Sequence, residues 1–254
     1  MPEVIISGPA GRIEGRYHQN INPKAPVALV LHPHPLHGGT MNNKITYNIY
    51  KTFVSNGFSV LRINFRGVGR SEGKFDNGLG ELLDATAATN WLHDQNMEAT
   101  EYWIGGFSFG SWIALQLVMR RPEFENYILA APPATKYDFN FIVPCTSSGL
   151  IVQGGKDDIT KEADSAKLSE KLAARDGASV VYQMVHGADH FFSGHAKEFE
   201  EIVDSHIKHR LVVDSTKVRK VKRDRRRRRK KKNVAEVKPE RNHFPVKSLT
   251  SFES

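Results

Sequence analysis

Short apolar, β-branched stretches alternate along the chain with segments whose apolar residues recur every three or four positions. That alternation predicts a mostly parallel sheet connected by crossover helices. Val4 to Ser7 and Arg12 to His18 read as opening strands. Residues 26–32, PVALVLH, form a near-continuous apolar run suited to a strand buried on both faces. A loop rich in Pro, His and Gly leads to a helix over 42–55 and then to the strand Phe58 to Phe65. From Leu79 to His93 the spacing is helical, with Leu82, Leu83, Ala87 and Trp91 along the expected core face. Residues 101–107 are the next strand. Ser111 to Arg120 is the next helix, and Pro122 stops it. Tyr127 to Ala131, Leu150 to Gln153 and Val180 to Val185 complete the strands, with helices near 161–175 and 196–209. The sum is one wound α/β domain of about eight strands with helices on both faces.

Charge changes this picture at one end. The chain has 254 residues with 36 Lys+Arg and 28 Asp+Glu. Residues 211–254 hold 16 of those bases and 5 of the acids, so residues 1–210 are close to neutral. Between Lys217 and Lys232, 13 of 16 residues are basic, a like-charge block with no apolar face to bury. The expected organisation is a folded domain over 1–210 and a disordered basic tail over 211–254. Such a tail could bind nucleic acid or an anionic lipid surface through phosphate contacts, could be a nuclear-type address, or could be an idle solvated extension. The single cysteine, Cys145, cannot form an intrachain disulfide, which fits a reducing compartment. With no leader-like N-terminus and no run of membrane-spanning length, a cytoplasmic protein is expected.

Residues 106–110, Gly106-Phe107-Ser108-Phe109-Gly110, follow a strand and open a helix. A GxSxG sequence in that setting suits a serine at the tip of a strained strand-to-helix turn, where close backbone packing demands small residues on both sides. Ser108 needs a base, and the base needs an orienting acid. The strand GLIVQG ends just before Lys156, Asp157 and Asp158. The next strand, SVVYQMV, is followed by His186-Gly187-Ala188-Asp189-His190-Phe191-Phe192. Serine, acid and His190 then fall in that order on one edge of the sheet. The acid is read as Asp157, with Asp158 and Asp138 left open. The plainer alternatives are a turn serine and a surface histidine, with His186 and His195 near in sequence.

These stretches together resemble the α/β-hydrolases, and within them the small bacterial serine hydrolases without a cap domain. They are His32-Pro33-His34-Pro35 with Gly38 to Lys44, Asn64 to Ser71, the Ser108 turn, Gly154 to Asp157 and Gly187 to His190. The resemblance spans residues 1 to about 210 in order. It implies a Ser-His-Asp triad of Ser108, His190 and Asp157, and an oxyanion hole formed by the backbone N–H groups of His34 and Phe109. The segment between the sixth and seventh strands, about 132–148, is too short for a helical cap, so an open site is expected. The implied reaction is hydrolysis of a small carboxylic ester or thioester through an acyl-enzyme, with no metal and no organic cofactor. His32, His34 and His37 could suggest a metal, but no carboxylate or further ligand is spaced to complete a site. The glycines around Arg66 to Ser71 are better explained by loop geometry than by phosphate binding. The alternative from another class is a non-catalytic protein of the same fold that binds through its tail.

Overall fold

The computed structural model describes residues 2–142, 146–174 and 177–213. Cys145 and all of the tail from 214 onward, including the block expected to be disordered, lie outside the described residues. Residues Met1–Lys208 form one compact unit and His209–Ser254 a second, of which only 209–213 are described.

The elements follow in the order β1 (Glu3–Gly8), β2 (Gly11–His18), β3 (Val27–Leu31), α1 (Lys44–Ser55), β4 (Ser59–Ile63), α2 (Leu79–Gln95), β5 (Tyr102–Phe107), α3 (Phe109–Val118), β6 (Phe124–Ala130), β7 (Ser148–Gly154), α4 (Glu162–Ala173) and β8 (Val180–Val185). A last helix, α5, covers 196–213. These eight strands join one sheet in the order β1-β2-β4-β3-β5-β6-β7-β8. Among these eight strands β2 alone runs opposite to the rest, pairing antiparallel with β1 and β4. From β3 the chain first pairs outward to β4 and then returns to pair β5 on the other side of β3. That reversal opens a crevice at the carboxyl ends of β3 and β5, the place where wound sheets hold their ligands.

The strand sequences explain the layering. Every residue of β3, β4 and β7 is buried, as the continuous apolar runs require of strands covered on both faces. Along β3, Val27, Leu29 and Leu31 join a core with Leu82, Ile113 and Leu117 from α2 and α3. On the opposite face, Trp103 packs edge-on against Phe53 of α1 and near His206 of α5. Helix α1 begins where Asn43 accepts from the backbone N–H of Ile45 and Thr46, satisfying two donors of the first turn.

Two expectations need correction. Helix α3 starts at Phe109, immediately after the turn serine, because its first turn is the turn itself. Helix α2 is rotated from its expected face: Leu83 is 54% exposed and Leu79 72%, while Glu81, Asp84, Ala85, Ala88 and Leu92 are buried. The two acids are the reason. Glu81 accepts from the N–H groups of Asp76 and Gly78, and Asp84 holds Arg66 through two side-chain hydrogen bonds of 2.8 and 3.0 Å. These bonds fix the 66–78 loop at the carboxyl end of β4 and give buried charge its partners.

Candidate active site

Ser108 sits between the last residue of β5 and the first of α3 with φ at 52°, a left-handed backbone unusual for a residue with a side chain. Its N–H donates to the Ala130 carbonyl at 2.8 Å, tying the turn to the end of β6. The flanking glycines are demanded by space. A Cβ on Gly106 would stand 2.4 Å from the Gly110 carbonyl oxygen, and one on Gly110 would stand 2.5 Å from the Leu31 carbonyl oxygen. Helix and strand thus approach within backbone contact, and the serine is lifted over the crevice.

The loop after β8 brings His190 to it. Nε2 of His190 lies 3.0 Å from Ser108 Oγ, and Nδ1 lies 2.7 Å from Asp157 Oδ2. With Nδ1–H donated to the carboxylate, the Nε2 lone pair is left to accept the serine proton. The ring is walled by Phe107 and Phe191, with centroids at 5.2 and 5.3 Å. The other two histidines of this loop are not brought to Ser108: His195 Nδ1 bonds the Ser193 carbonyl, and His186 is exposed.

Asp157 is the carboxylate the fold delivers to His190; Asp158 is exposed, and Asp138 accepts from the Asn140 N–H. The Asp157 side chain is wholly buried. Its Oδ1 accepts from the N–H groups of Ile159 and Thr160, and its Oδ2 accepts from Gln153 Nε2 as well as His190. Burial pushes its pKa upward. The hydrogen bond from His190, that from the Thr160 N–H and the remaining polar contacts outweigh burial, and the net value falls below the ordinary carboxylate. Gln153 is a site residue that the sequence reading misses. Its signal is a polar side chain at the end of the buried run GLIVQG, where it is itself held by Ser165 Oγ.

The HPHP stretch lies along the opposite wall. His34 caps a single 3₁₀ turn at Pro35–His37, with Nδ1 accepting from the Leu36 N–H. Its ring packs between Phe75 and Phe109, at 4.7 and 5.2 Å. Among the described residues, the backbone N–H groups of His34 and Phe109 donate to no protein acceptor. His32 plays a different part. It is fully buried, its Nδ1 donates to the Pro33 carbonyl and its Nε2 accepts from the Phe65 N–H. Burial holds its pKa down at about 4, so the ring is a neutral brace between the ends of β3 and β4. Among the described residues, no three His, Cys, Asp or Glu side chains group as metal ligands would.

Between the walls lies a cleft of about 600 Å³, lined by His34, Ser108, Phe109, Lys136, Tyr137, Ile159, His190 and Phe191 among others. Among the described residues, no Asp or Glu lines it. Its third wall, Pro133, Lys136 and Tyr137 beyond β6, reads in the sequence only as part of a connection too short for a cap. The described part of that connection is built of turns.

Comparison with known proteins places this geometry among relatives. Residues 19–185 match the family of X-Pro dipeptidyl-peptidases, S15. An uncharacterised protein of Rickettsia prowazekii is 50% identical over 211 residues, 82% of this chain and 89% of its own. The crystal structure of a putative α/β hydrolase from Agrobacterium tumefaciens aligns with a TM-score of 0.81 at 46% identity, covering 83% of this chain and 96% of that one. An α/β serine hydrolase without a lid from Xanthomonas campestris aligns at 0.72 with 27% identity, covering 82% and 94%.

Proposed function

The chain belongs to the α/β hydrolases of the S15 family, in a small form without a lid, and from that premise we propose that it cleaves carboxylic esters or thioesters through an acyl-enzyme on Ser108. The observation that carries the reading is the unbroken hydrogen-bonded line from Ser108 through His190 to Asp157. In the first half-reaction Ser108 Oγ attacks the carbonyl carbon while Nε2 of His190 takes its proton. The carbonyl oxygen gains the negative charge and accepts from the N–H groups of His34 and Phe109. Asp157 stays ionised and stabilises the imidazolium. Collapse breaks the bond to the alcohol or thiol, which leaves with the proton from Nε2. Water then attacks the acyl-serine by the same route, releasing the acid and restoring the hydroxyl.

Lining chemistry favours an ester over the substrate named by the family. A dipeptidyl-peptidase must hold a free substrate ammonium, and the described walls of this cleft offer no carboxylate to do so and present a lysine instead. We also place the protein in the cytoplasm, because a single cysteine gives the chain no disulfide of its own to protect. The test is intact mass after incubation with a fluorophosphonate, followed by turnover of p-nitrophenyl and acyl-thioester panels. Stoichiometric addition that vanishes in Ser108→Ala is the expected result. A folded protein that takes up no label, or that splits Xaa-Pro amides in preference to esters, would overturn the reading.

A further inference from the structure

Lys136 lies in the cleft with an ammonium that the fold does not use. Among the described residues its side chain makes no hydrogen bond or ion pair, whereas Lys51, Lys171 and Lys208 each have a polar partner. Among the described residues it is also the one Lys or Arg on the cleft wall, where no carboxylate opposes it. Its charge is felt at the oxyanion loop: burial first, then His37 and Lys136, hold the His34 ring below the usual histidine value. Lys136 and His34 line the same cleft as Ser108.

The backbone that carries it is held from both flanks. The N–H groups of Lys136 and Tyr137 both donate to the Pro133 carbonyl. Tyr137 stacks on Trp112 of α3 at 4.4 Å, and Trp112 Nε1 donates to the Asp138 carbonyl at 3.0 Å. On the other flank Thr135 Oγ1 donates to Asp164 of α4 at 2.9 Å and accepts from the Lys161 N–H.

We propose that the cleft selects acyl substrates bearing an anionic group, a carboxylate or phosphate close to the scissile bond, and that Lys136 is the residue that reads it. An anion there meets one positive charge beside apolar walls formed by Phe109, Tyr137, Ile159 and Phe191. The inference rests on the hydrolase reading above and deepens it by naming the substrate class. The anion can belong to the acyl part or to the leaving group, and matched esters separate the two.

The acyl-side pair is the p-nitrophenyl monoester of glutaric acid against p-nitrophenyl butyrate. The leaving-group pair is the butyrate ester of p-hydroxybenzoate against that of its methyl ester. For each pair the readout is the ratio of kcat/KM, anionic over neutral. In at least one pair Lys136→Gln is expected to lower the ratio about 5- to 20-fold, at or below the lower end of the worth of a hydrogen bond to a charged group because Lys136 is exposed. Lys136→Glu should lower it further and Lys136→Arg restore most of it. High salt should lower the wild-type ratio and leave that of the Gln variant nearly level. Because Lys136 is exposed, an unchanged melting temperature is the folding control. Ratios equal in wild type and Lys136→Gln for both pairs overturn the inference while leaving the hydrolase intact. Failure of the wild type to turn over any of the four esters overturns the hydrolase reading, and this inference with it.

Discussion

Replacing His34 by proline removes one backbone N–H from the cleft and little else that alanine at the same position would not also remove. The residue sits at φ −53° and ψ 122°. That φ is within reach of a pyrrolidine ring, and that ψ already suits a residue preceding Pro35. Both substitutions lose the Nδ1 bond to the Leu36 N–H, 3.2 Å long, and both lose the ring packing against Phe75 and Phe109. The difference between them isolates the N–H. If that group stabilises the oxyanion, its removal costs about 2.7–4 kcal/mol at the transition state, so kcat for His34→Pro should fall roughly 100- to 1,000-fold below that of His34→Ala. Hydrolysis of p-nitrophenyl butyrate at saturating substrate measures it, with thermal melting of both variants as the folding check. The proline variant should also keep a Ser108–His190 pair competent for slow labelling, since that pair is held by its own hydrogen bond and by the turn's tie to Ala130. Equal kcat in two well-folded variants would refute the assignment of His34 to the oxyanion hole.

The remaining predictions concern the carboxylates, a brace and a buried pair. Asp157→Asn should lower kcat by about 10⁴, by analogy with the orienting acid of serine proteases, whereas Asp158→Asn should stay within a few-fold; the reverse order in steady-state assays would move the acid by one position. The depressed pKa of His32, about 4 against 6.5, means the unfolded chain binds the extra proton first as pH falls. Its contribution is therefore complete above pH 6.5 and lost progressively down to about 4, amounting to about 3 kcal/mol, so urea unfolding over that window should be steeper in pH for wild type than for His32→Gln. Parallel curves would contradict the neutral brace. Arg66→Met leaves Asp84, whose side chain is 1% exposed, without its cation and should cost about 3–5 kcal/mol, more than the double variant Arg66→Met/Asp84→Leu. Denaturant titration of the three proteins tests this, and a double variant no better than the single would count against a buried pair.

The sequence is most informative where chemistry and backbone space impose the same residue. Gly106 and Gly110 are required by contacts under 3 Å, so the Ser108 turn announces itself in five letters. The strands are legible because β3, β4 and β7 are buried on both faces and leave no room for a polar alternation. Asp157 is named by the resemblance of Gly154 to Asp157 to the family's stretch; turn position alone leaves Asp158 open, since two adjacent residues in a turn differ only in where the side chain points. The burial of Glu81 and Asp84 is hidden for a related reason: their partners, Gly78 and Arg66, are joined to them by a cap or by the tertiary fold, and hydrophobic spacing alone turns α2 the wrong way. Lys136 carries no signal at all, because a lone lysine in a connection reads as solvated until the walls around it are known.

The place of the last strand in the chain has a temporal consequence. Ser108 follows β5, but His190 follows β8, an edge strand bonded to β7 alone and half-exposed along most of its length. A chain emerging from a ribosome therefore carries its nucleophile turn 82 residues before its base can arrive. On the proposed mechanism the serine has no proton acceptor until β8 pairs with β7. Opening of the β8 edge in the finished protein would carry His190 away from Ser108. If that mechanism holds, covalent labelling of Ser108 reports on closure of the sheet as far as β8.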